Sequence, residues 1–122
     1  MGAPATHGLT WVVVHPEWGV YAGHALGMAF FSLNDVGAQE VAVTFDTRQQ
    51  AADHIASWRN DGPDFDPDAF RFHDVACDDP GFATPEEMAA AGIPEEMIEP
   101  FRRAAIENAE TEKVLSAAMR RH

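Results

Sequence analysis

In DFDPD, residues 64–68, Asp64, Asp66 and Asp68 alternate as the first three ligands of a calcium loop do, because a hard cation needs converging carboxylates. The series breaks at both decisive positions: Ala69 stands where the sharp turn needs glycine, and Val75 where a bidentate glutamate would close the shell. A solvated acidic loop is the expectation. His73 and Cys77 have the spacing of a zinc pair, but a structural zinc needs four ligands, commonly two close pairs. His7, His15, His24, His54 and His122 are scattered and supply no second pair, so neither a metal nor a cofactor is expected. Asp78 and Asp79 follow Cys77, and their field raises a thiol pKa rather than lowering it, which is the wrong direction for a nucleophile. Ser32, Ser57 and Ser116 lack the Gly-x-Ser-x-Gly elbow, and no Gly-x-x-x-x-Gly-Lys loop is present. No catalytic residue is assigned. An enzyme of the His- and Trp-rich N-terminal region, with His15, Glu17 or His73 as acid and base, stands as an alternative without a motif of its own.

Charge says more than any motif. Twenty acidic residues against eight basic ones give a net charge of −12. Such a field repels phosphate backbones and anionic lipid and attracts basic surfaces, so direct nucleic-acid binding and membrane binding are not expected. The acids are also segregated. All nine in residues 46–82 are Asp and all eight in 83–122 are Glu, a division that reads as turns followed by helix, because Asp competes for backbone hydrogen bonds and Glu does not.

The elements that must position these side chains follow from periodicity and punctuation. TWVVV (10–14) and VYA (20–22) flank HPEWG and read as a hairpin, with MAFFSL (28–33) as a third strand. Gly19, Gly23 and Gly27 read as turns and close backbone approach rather than as a helix-pairing motif. EVAVTF (40–45) alternates and predicts the clearest strand, with Val41, Val43 and Phe45 on its buried face. Asp46 and Gln49 have capping-box spacing, and Ala51, Ile55 and Trp58 recur at i, i+4 and i+7, which predicts a helix over about 47–59. FRFHDVA (70–76) reads as a further strand between two acidic turns. Thr84, Pro85, Glu87 and Gly92 frame a short helix over 85–91. Pro94 and Pro100 predict one turn of helix and then a longer helix from about 100 to 119, with an apolar stripe that thins toward Val114 and Leu115.

The fold class is therefore α+β: a small, mainly antiparallel sheet of four or five strands, one helix on a face and a helical C-terminal third. A single domain over 1–122 is expected, with sheet and helix in 1–82 and a helical extension in 83–122. Trp11, Val13, Val20 and Phe30 are the expected N-terminal core. No run reaches the length of a membrane helix, no secretion signal is visible, and the lone Cys77 agrees with a reducing cytoplasm.

The functional expectation is a non-enzymatic acidic protein that binds a protein with a basic surface. Asp61, Asp64, Asp66, Asp68, Asp74, Asp78 and Asp79, with Phe65 and Phe82 interleaved, would form its face. Glu17 and Trp18 would join from the hairpin turn, where a large exposed aromatic suits a partner contact. If the acidic loops converge, they would imitate a phosphate backbone and occupy the channel of a nucleic-acid-handling complex. Compact phage and mobile-element inhibitors of the anti-CRISPR type use that logic, an analogy of size and charge only. The alternative is a structural or assembly module that oligomerises or docks through its C-terminal helix. The sequence leaves the oligomeric state open.

Overall fold

A run of β-branched residues with no polar alternation has to be covered on both faces, and TWVVV is such a run. In the computed structural model, which describes residues 9–25, 27–58, 66–79 and 81–120, the run lies in β1 (Leu9–His15), an interior strand. Its neighbours are β2 (Gly19–Ala25), joined to it by the hairpin turn and paired in turn with β3 (Met28–Phe31). A two-residue β4 (Ala42–Val43) comes next in the chain, followed by β5 (Arg71–Ala76) and a two-residue β6 (Phe82–Ala83). The sheet is antiparallel in the order β3-β2-β1-β5, while β4 and β6 pair as a separate ribbon.

Alternation of side chains along a strand divides the core in two. Val12, Val14, Val20, Ala22 and Val75 point to one face, where Met88 of α2 (Pro85–Ala90) and Ile98 and Phe101 of α3 (Glu95–Arg120) cover them. Val13, Tyr21, Phe31 and Phe70 point to the other, under Ala51 and Ile55 of α1 (Arg48–Ala56) and Trp58 just beyond its end. The expected helix on one face is present, and the C-terminal helices close the opposite face. Val13 and Val20 are fully buried; Trp11 and Phe30 are only half-buried, at the margin of the core.

Gly19 shows how tightly the hairpin is tied down. Its φ is +89°, and a Cβ there would lie 2.4 Å from Ser32 Oγ and 2.9 Å from the Leu33 nitrogen. That approach lets the Val20 N–H donate to Ser32 Oγ (2.9 Å) and the Leu33 N–H to the Trp18 carbonyl (2.7 Å). Only glycine fits both the backbone conformation and the space.

Three expectations are corrected. EVAVTF is a strand for two residues only, with an isolated bridge between Trp11 and Phe45, and its buried side is the reverse of the one expected. Ala42 and Thr44 are buried while Val41, Val43 and Phe45 are half-buried, because the segment crosses between the two core clusters and its small residues take the crowded side. The cap of α1 is Thr47 rather than Asp46: Thr47 Oγ1 accepts from Gln50 N at 3.0 Å, while Gln50 Oε1 accepts from Asp46 N at 3.1 Å, one residue before the cap, so the expected capping box is not formed. Last, Glu95–Arg120 is one helix with Pro100 inside it. Proline in a helix interior costs about 3 kcal/mol. Burial of Ile98, Phe101 and Ala104 on either side of Pro100 offsets that cost.

Beyond Ala105 that helix leaves the core. Residues 109–119 are exposed all round, with Val114, Leu115 and Met119 among the large apolar side chains in solvent. None of the described helices is long and apolar enough to cross a membrane.

Candidate functional site

Among the described residues, the aspartates expected to form the face fall into two groups set by the β1–β5 register. Leu9 pairs with Ala76 and Val14 with Arg71, so the residues before β5 lie near the β1–β2 turn and those after it near the start of β1. At the first end, Asp66 accepts from the Asp68 N–H (2.9 Å) and caps a single 3-10 turn over Pro67–Ala69. Asp66, Asp68 and Glu17 are all exposed, and Asp66 and Glu17 both act electrostatically on His15. At the other end are Asp74, Asp78 and Asp79, also exposed, together with Glu87 of α2. Asp74 and Glu87 border a groove of about 280 Å³ between β5, Leu9 and α2. Six residues of strand, roughly 20 Å, separate the two ends. Of the aspartates expected to form the face, those among the described residues therefore lie toward the two ends of β5. Asp61, Asp64 and Phe65 lie outside the described residues.

The two ends differ in how far their carboxylates are committed. Glu87 accepts from Thr84 N (2.9 Å) in a capping box and from Asp78 N (2.8 Å). Partial burial alone would raise its pKa, but these backbone donors outweigh burial and hold the carboxyl below its ordinary value. Glu87 thus serves the fold, fixing the loop that carries Asp78 and Asp79. Cys77 beside them is buried, and burial is the main reason its thiol is pushed up, with Glu87, Asp78 and Asp79 adding to it. Thr10 Oγ1 lies 3.1 Å from Cys77 Sγ, and this hydrogen bond pulls in the opposite direction without reversing the shift. Phe82 is exposed on the ribbon next to this end.

Trp18 stands on the hairpin turn with 37 % of its surface exposed. One face of its indole stacks on the His15 ring at 3.9 Å and 13°, and its edge meets Phe31 and Phe70. The turn is built around that imidazole: His15 Nδ1 accepts from the N–H of Glu17 (3.1 Å) and of Trp18 (3.2 Å). Two donors aimed at Nδ1 require a neutral ring with its proton on Nε2. Burial holds the His15 pKa below its ordinary value, against the opposing pull of Glu17 and Asp66. Trp18 is at once a lid on His15 and an exposed aromatic surface beside Glu17.

A second constellation was not anticipated from the sequence. Tyr21, buried on the α1 face, has its hydroxyl 2.6 Å from His24 Nδ1 and 3.2 Å from His54 Nε2. Tyr21 and His24 are three apart, so a regular strand would send them to opposite faces. The register of β2 against β3 shifts between Tyr21 and Gly23, with Gly23 at φ +140°, and this bulge turns His24 back to the side of Tyr21. His54 comes from α1, on the same stripe as Ala51, Ile55 and Trp58. Glycine inside a β-patterned segment was the available signal for the bulge.

Aromatic rings enclose the cluster. The Trp58 ring lies 4.8 Å from that of His24 and 5.2 Å from that of His54, and Phe45 lies 5.1 Å from His54. Burial pushes the Tyr21 phenol up to about 12. Burial first, and the neighbouring His24 second, push His54 down. Among the described residues no three side chains drawn from His, Cys, Asp and Glu come together as a metal site would require. Compared with known protein families, curated proteins and solved structures, the chain matches none of them.

Proposed function

We propose that this chain is a non-enzymatic binding protein of the cytoplasm whose acidic surface docks on a basic partner, of the kind that nucleic-acid-handling proteins present. One observation carries the reading: among the described residues, Arg102 and Arg103 pair with glutamates of the helices rather than with the exposed aspartates. Arg102 pairs with Glu86 at 3.0 Å and Glu95 at 2.9 Å, and Arg103 pairs with Glu99. Arg71 Nη1 donates to the carbonyls of Asp68 and Phe70, and Arg48 lies 5.0 Å over the Phe72 ring. The exposed Asp66, Asp68, Asp74 and Asp79 then set the outward field, and the two ends of β5 make a two-point contact with Trp18 beside the first.

Affinity purification from the native host tests this when wild type is run beside a variant carrying Asp→Asn at positions 66, 68, 74, 78 and 79. The expected result is a basic protein that co-elutes with wild type, releases as salt is raised, and is lost with the variant. Equal capture by both at every salt concentration contradicts the proposal.

A second reading has its own observation. The exposed C-terminal half of α3, with Val114, Leu115 and Met119 in solvent, favours docking or self-assembly through that helix. Light scattering showing a strict monomer, with Leu115→Ser silent in the same purification, removes it.

A further inference from the structure

Two imidazole nitrogens from different elements aimed at one phenol oxygen are more than packing requires. The Tyr21 hydroxyl has one proton, so it can donate to only one of His24 Nδ1 and His54 Nε2 and must accept from the other. The arrangement is a one-way chain of hydrogen bonds across a junction of three donor atoms. We propose that this junction is a binding site for a divalent transition ion of the zinc and copper class, held by His24 Nδ1, His54 Nε2 and Tyr21 Oη.

Tetrahedral ligation at about 2.0 Å sets donor atoms about 3.3 Å apart. Oη and Nε2, at 3.2 Å, already stand at that separation. Oη and Nδ1, at 2.6 Å, have to open by roughly 0.7 Å to reach it. His24 is exposed and sits just after the bulge, so its side chain supplies that movement and leaves a solvent-facing position for a water as fourth ligand. Neutral imidazoles suit zinc, copper and nickel, whereas magnesium and calcium prefer all-oxygen shells. Trp58 and Phe45 wall the inner side with apolar rings, which keeps competing water from the ligand atoms.

The proton balance is explicit. The metal–oxygen bond forms as the Tyr21 O–H breaks, and the proton leaves to solvent; both imidazoles ligate as neutral rings. Without metal the buried phenol stays protonated, and a dication at Oη reverses that preference. Binding therefore releases a proton and tightens as pH rises.

The test is titration of tag-free full-length protein with zinc chloride and, separately, copper(II) chloride, followed by calorimetry and tryptophan fluorescence. Wild type is expected to take up one ion per chain, with copper quenching tryptophan emission because Trp58 lies against His24. His24→Ala, at an exposed position, abolishes uptake; Tyr21→Phe weakens it by about tenfold or more and removes the proton release. His73→Ala, on β5, leaves uptake unchanged. Absence of one-to-one binding by the wild type, or binding that survives His24→Ala, overturns the proposal. Thermal melts of each variant confirm that the fold is retained.

Discussion

Under α2 and α3 the sheet presents Val12, Val14, Val20 and Val75 to Met88, Ile98 and Phe101, whereas under α1 it presents Tyr21, Phe31 and Phe70 to Trp58 with histidines along the margin. The first face is aliphatic apart from Phe101 and the partly buried Phe30, so volume and shape dominate there. The second is a chain of ring contacts from Trp18 through Phe31 and Trp58 to His54, with hydroxyl and imidazole groups that need directional partners. Two strands, β1 and β2, each serve both. The lesson is that stability and chemistry are separated across a single sheet: the aliphatic face should answer to volume and the aromatic face to protonation.

The largest break in that contrast is expected at Phe101, which is fully buried among aliphatic side chains. Phe101→Ala should destabilise the fold by about 3–5 kcal/mol in urea unfolding, and by the same amount at pH 8 and pH 5.5. A cost that changes with pH would mean the two faces are not separable.

Tyr21→Phe sharpens the comparison from the other side. It removes one hydroxyl that serves two imidazoles, so a loss of about 1–2 kcal/mol is expected, accompanied by a change in the titration of His54 by NMR. An unchanged titration would mean that the hydroxyl does not link the two rings.

The pH profile itself is the next test. His15 and His54 are held below the ordinary histidine value, mainly by burial, so the folded chain binds fewer protons than the unfolded chain just below that value. Their contribution is fully present above about pH 6.5, declines as the unfolded chain takes up protons first, and is lost as pH falls through the depressed folded values. Tm should fall over that window, and the double change His15→Gln with His54→Gln should flatten the fall. An unchanged slope in the double variant contradicts this assignment.

The smallest effect belongs to the far end of α3. Leu115→Ser should alter stability by less than about 0.5 kcal/mol, because the side chain stands in solvent.

Much of this architecture was legible in the sequence because local signals agreed with the final packing. Pro16 and Gly19 mark the hairpin, the Ala51–Ile55–Trp58 spacing gives the buried side of α1, and Thr84 with Glu87 gives the capping box of α2. The misread segments are those where tertiary packing overrode a local signal. Pro100 should stop a helix, yet Ile98 and Phe101 bury deeply enough to carry the helix through it. EVAVTF alternates correctly, but its buried side was set by the crowding between two cores, which no local pattern reveals. The Tyr21–His24–His54 cluster was hidden for a related reason: a one-residue bulge reversed the parity that sequence spacing implies. The acidic residues were evident as a charge imbalance, while the placement of the described aspartates toward the two ends of β5 depends on strand register.

The measurement that tests the central claim most directly is the salt dependence of affinity between the purified basic partner and two forms of this chain, wild type and the five-position Asp→Asn variant. The account predicts that wild-type affinity falls steeply as salt rises, and that the variant binds more weakly with a shallower slope. Equal affinities with equal slopes would contradict it.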